Sequence, residues 1–149
     1  MNNTKTILIS LGIVIANDFI GHFFAPNGIM FTPIVLILLS ILIGILNKEL
    51  KPIWKSTLLA GLIILHDIGI KLYSGGRHDY EGLGWVHLML FVGLIPALGI
   101  LIAGIFKTKN ETKLNKWIAI VLFPILIWIH LLLFSDLGLG RYYWYDWNA

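Results

Sequence analysis

The residues able to do chemistry are concentrated between His66 and His87. Three of the chain's five histidines (His66, His78, His87) and three of its eight acids (Asp67, Asp79, Glu81) fall there, together with Lys71 and Arg77. Two further groups belong with them by spacing. Asp18 and His22 stand four residues apart, as do Asp67 and Lys71, so in a helix each pair shares a face and can meet. A carboxylate beside an imidazole fixes its tautomer and raises its basicity, which suits metal ligation or general-base work. Together with His130, four histidines (His22, His66, His87 and His130) are therefore expected as ligands of a divalent metal, zinc or iron, with Asp18, Asp67, Arg77 and Glu81 as the catalytic set. Haem held between two of these imidazoles is a variant of the same constellation. The chemistry this predicts is metal-assisted attack on a lipid or lipid-linked substrate, with Lys71, Arg77 or Arg141 for a phosphate. No His-Glu-x-x-His string occurs, so the reading rests on depth within helices rather than on a local motif. Two other readings stay open: a non-catalytic accessory subunit of a larger membrane complex, and a component that handles protons or ions through a His/Asp chain.

What must position these side chains is a set of apolar helices. The chain is 149 residues long, 58% hydrophobic and only 13% charged, with a mean hydropathy of +0.85. That composition fits an all-α integral membrane protein forming one domain over residues 1–149. Five apolar runs are long enough for a hydrocarbon layer of about 30 Å, which needs about 20 helical residues. They are Thr6–Phe24, Ile29–Leu46, Trp54–Tyr73, Trp85–Phe106 and Trp117–Phe134. Ala25-Pro26-Asn27-Gly28 reads as a turn, and Pro52 is placed to open the third helix. Small residues at four-residue spacing (Gly12/Ala16, Ser40/Gly44, Thr57/Gly61, Gly99/Ala103) predict close helix contacts. Pro96 and Pro124 each remove one backbone hydrogen bond inside a helix.

Charge sets the expected orientation. With alternating helices, eight lysines (5, 48, 51, 55, 107, 109, 113, 116) and two acids, Glu49 and Glu111, share one side. The other side carries Lys71, Arg77 and Arg141 against six acids. The positive-inside rule then predicts a cytoplasmic N-terminus and an extracytoplasmic C-terminus. At 1.5 Å per residue, His22, His66, His87 and His130 all come within roughly 10 Å of the outer boundary, which predicts one shared pocket. The aromatic tail after Gly140 reads as an interfacial anchor. Compact loops and the absence of cysteine fit a bacterial inner membrane, and no cysteine means no disulfide and no thiolate ligand. Membrane lipids, and a protein partner or a second copy of the chain, are the expected partners. Nucleic acid is not, because topology and anionic headgroups account for the lysines.

Overall fold

The computed structural model describes residues 2–75 and 78–140, all of them helix or short connection, with no strand among them. Five helices follow one another: α1 (Asn3–Phe23), α2 (Asn27–Ser40) continued by a π-helical segment (Ile41–Leu46), α3 (Pro52–Tyr73), α4 (Tyr80–Phe106) and α5 (Lys113–Phe134). Each is long and apolar enough to cross a membrane. All five helices start earlier than their apolar runs, and at the three with the longest extensions, α1, α4 and α5, the reason is capping. Asn2 accepts from the Lys5 amide at 3.0 Å, Asp79 from the Gly82 amide at 2.8 Å, and Thr112 from the Asn115 amide at 3.2 Å. A polar first turn held this way adds helix that hydropathy alone does not register. Pro52 opens α3 as expected.

Short connections bring alternate helix ends together, giving a lysine end and a histidine end. At the lysine end Asn47 ties the α2–α3 connection to α1, its Nδ2 donating to Thr6 Oγ1 at 2.9 Å and Asn3 Oδ1 at 3.0 Å. At the histidine end the Gly75 amide donates to the Gly21 carbonyl at 2.9 Å. Helix α1 reverses the polarity of a water-soluble helix. Helix α1 buries Thr6, Ser10, Val14, Asn17 and Gly21, while Leu8, Ile9, Ile15, Phe19 and Phe23 lie exposed. Hydroxyls, amides and small residues hold this interface. The Asn17 amide donates to the Gly28 carbonyl at 2.9 Å, and Ser56 Oγ joins α3 to α5 through the Ala119 carbonyl at 2.7 Å. An apolar core of Leu36, Leu39, Ile43, Leu59, Ile63 and Leu101 fills the centre.

The small-residue expectation is corrected here. Gly12, Gly61 and Gly99 face open space, and only Ser40/Gly44 lies inside the bundle. Four-residue spacing selects a helix face without saying which way that face points. The close approaches are instead made by Gly21 with Gly28 between α1 and α2, and by Gly44 with Gly104, where an added Cβ would land on the neighbouring backbone.

Candidate functional site at the histidine end

Helix α3 supplies the centre of the site. His66 and Asp67 are consecutive, so their side chains leave the helix about 100° apart. Both are buried, at 0% and 2% exposure, yet they serve different neighbours. The single pocket expected from depth is therefore two polar clusters on different sides of α3.

The first cluster joins α3 to α5. Asp67 Oδ2 accepts from Lys71 Nζ at 2.8 Å and pairs with His130 Nε2 at 2.7 Å. Lys71 Nζ also donates to the Phe134 carbonyl at 3.0 Å. Phe134 is the last residue of α5, so the ammonium caps the negative end of that helix as well as neutralising Asp67. The segment after α5 folds back over this triad. The Gly140 amide donates to the His78 carbonyl at 2.8 Å, and Gly138 takes a φ of +85° against the Lys71 carbonyl, an approach no side chain could make.

The second cluster joins α3 to α1 and α2. His66 Nδ1 lies 3.4 Å from Asp18 Oδ1, close enough for ionic attraction but outside hydrogen-bond geometry. On the other side of the ring, His66 Nε2 meets Thr32 Oγ1 at 3.2 Å, and that hydroxyl donates to the Gly28 carbonyl at 3.4 Å. Gly69 makes the arrangement fit, since a Cβ there would fall on the Asp18 carboxylate. Asp18 keeps about a fifth (21%) of its side-chain surface exposed. It opens sideways from the bundle into a groove of about 330 Å³ lined by Ile15, Phe19, His22, Phe23 and Tyr73.

The remaining predicted residues fall around these clusters. His22 Nδ1 sits 2.8 Å from the Tyr73 carbonyl, where it ties the ends of α1 and α3. His87 lies two turns into α4 because that helix starts at Tyr80, and its Nε2 is buried without a hydrogen-bond partner. It is within electrostatic reach of Lys71 and Asp67. Glu81 is exposed in the first turn of α4 and lines a cleft with Asp79 and Trp85. Arg77, Arg141 and the aromatic tail lie outside the described residues.

The four-histidine metal centre is not what this geometry assembles. Among the described residues no group of three or more histidines and acids could hold a metal ion. His66 and His130 are drawn to different carboxylates from different sides of α3, and His22 is committed to a carbonyl. At Asp67 the position a cation would take is filled by the Lys71 ammonium. Sequence reasoning also missed Thr32 and Gly69. A threonine two turns into an apolar helix carries no signal of its own, and Gly69 matters only once Asp18 is known to face it.

Comparison with protein-family models, curated proteins and solved structures finds no match for this chain. Fold and site define a class only: a five-helix bundle whose helices can span a membrane, with two buried carboxylate–histidine clusters at one end.

Proposed function

We propose that this is a polytopic integral membrane protein with its N-terminus in the cytoplasm, which handles protons at its outer end through Asp18, His66 and Thr32. Membrane insertion is supported by the apolar exterior and the buried hydroxyls and amides. Orientation is supported by the eight lysines gathered at one end. Since the chain has no cysteine of its own, single cysteines report orientation cleanly. In intact cells Glu81→Cys should react with an impermeant maleimide and Lys109→Cys should not. The opposite pattern would invert the assignment.

The observation that carries the proton reading is the position of His66. It is fully buried, and it bridges a part-exposed carboxylate on α1 and a buried hydroxyl on α2. An imidazole accepts a proton at one ring nitrogen and releases another from the second, so it passes charge without moving. A proton taken by Asp18 from the groove goes to His66 Nδ1, and the proton on Nε2 passes to Thr32 Oγ1 as that hydroxyl turns from the Gly28 carbonyl and gives up its own proton to a water molecule within the bundle. Deeper in the bundle lie the buried hydroxyls of Ser10, Ser40 and Ser56, the first of them without a hydrogen-bond partner. Buried polar groups therefore extend further toward the lysine end than an all-apolar inner half would allow.

The test is proton entry into phosphatidylcholine vesicles holding a trapped pH-sensitive dye after an external acid step. His66→Ala and Asp18→Asn should each slow entry at least tenfold relative to the parent protein. Rates equal to the parent in both variants, with helicity retained, would end this reading.

A further inference from the structure

The two carboxylates of the histidine end are not equally satisfied. Asp67 has a lysine, a histidine and no exposed surface to speak of. Asp18 has only the imidazole at 3.4 Å, its Oδ1 is buried without a hydrogen bond, and no lysine or arginine pairs with it among the described residues. A carboxylate at membrane depth that lacks donors is costly, and the cost is relieved by any cation that can reach it. The accessible side of Asp18 is the groove between α1 and α3, whose other lining residues are aromatic or aliphatic apart from His22. Ile15 lies one helical turn deeper than Phe19 and Asp18, and Phe23 and Tyr73 stand toward the helix ends. The groove thus offers an anionic point beside an apolar track running into the span.

We infer that this groove is a binding site for a membrane amphiphile with a single primary ammonium head group, held by Asp18 with its hydrocarbon chain along Phe19 and Ile15. Charge complementarity chooses the occupant. An anionic head group would face an unneutralised carboxylate, and an uncharged one would leave it as costly as before. The ammonium supplies hydrogen-bond donors of the kind that Lys71 supplies to Asp67 on the far side of α3. The inference rests on the Asp18 cluster described above but not on proton movement, so the two can fail separately. Binding is read without any gradient, and flux is read without any amphiphile.

The experiment uses the full chain in phosphatidylcholine vesicles with a long-chain primary amine bearing a nitroxide on its hydrocarbon tail, and the matching alkyl sulfate as its counterpart. Electron paramagnetic resonance measures the fraction of each probe immobilised by the protein. The amine should be immobilised at least fivefold more than the sulfate, and Asp18→Asn should remove that preference. Ile15→Trp fills the groove without touching the carboxylate and should reduce amine immobilisation to the sulfate level even if Asp18→Asn folds poorly. Equal immobilisation of the two probes, or a preference that survives Ile15→Trp, would overturn the inference. Displacement of the amine by phosphatidylglycerol at equal mole fraction would overturn it too, since an anionic head group would then occupy the groove as readily as the ammonium.

Discussion

Replacing Asp67 with leucine is expected to destabilise the bundle by about 3–5 kcal/mol, the range for removing one member of a buried ion pair. The carboxylate is the hub of the α3–α5 contact, holding Lys71 at 2.8 Å and His130 at 2.7 Å on one oxygen. Without it the buried ammonium keeps only the Phe134 carbonyl, and His130, whose Nδ1 is already unpartnered, loses its one bonded nitrogen. Removing the lysine instead is milder. In Lys71→Met the carboxylate retains its hydrogen bond with His130 at 2.7 Å, so the loss should be smaller than in Asp67→Leu. Replacing all three with apolar residues of similar size should restore much of what Asp67→Leu loses, because no uncompensated charge is left buried. Unfolding by sodium dodecyl sulfate in mixed micelles, followed by circular dichroism, ranks the variants. An Asp67→Leu protein as stable as the parent would show that the triad does not hold α5 in place.

The fold was legible in the sequence because helices long and apolar enough to cross a membrane announce themselves by length and hydropathy, and five runs became five helices with similar ends. That four helices bring a histidine to the same end of the bundle was legible too. What could not be read was rotation about each helix axis. His66 and Asp67 looked like neighbours in one site, and consecutive positions on α3 send them to α1 and α5 respectively. The same ambiguity misdirected the glycines. Gly12, Gly61 and Gly99 had the right spacing and the wrong face, whereas Gly21, Gly69 and Gly104 make or permit the contacts. Hydropathy periodicity normally resolves rotation, but here the outward faces are apolar and the inward faces are apolar or mixed, so the contrast between faces is weak.

Lys55 is where that loss of information has the largest consequence. In the sequence it is one of eight lysines that mark an end of the bundle, equivalent to Lys48 and Lys51. In the structure those two are exposed and Lys55 is 3% exposed. Its ammonium donates to the Gly44 carbonyl at 2.8 Å and the Gly104 carbonyl at 3.4 Å. A cation in the first turn of α3 is unfavourably placed for its own helix dipole, but it reaches the C-terminal carbonyls of two others. Gly44 belongs to the π-helical segment, and Gly44 and Gly104 let their backbones touch, so the two carbonyls come near one ammonium. Lys55→Met should therefore cost about 1–3 kcal/mol, the penalty for leaving a buried acceptor unpaired. The Gly44 carbonyl carries most of it, since Gly104 still accepts from Thr108 Oγ1 at 3.1 Å. Lys48→Met and Lys51→Met should change stability by no more than about 0.5 kcal/mol, as exposed substitutions do. The same detergent unfolding measures all three. Equal effects at positions 48, 51 and 55 would return Lys55 to the role its neighbours have, a surface charge that sets orientation and nothing inside the bundle.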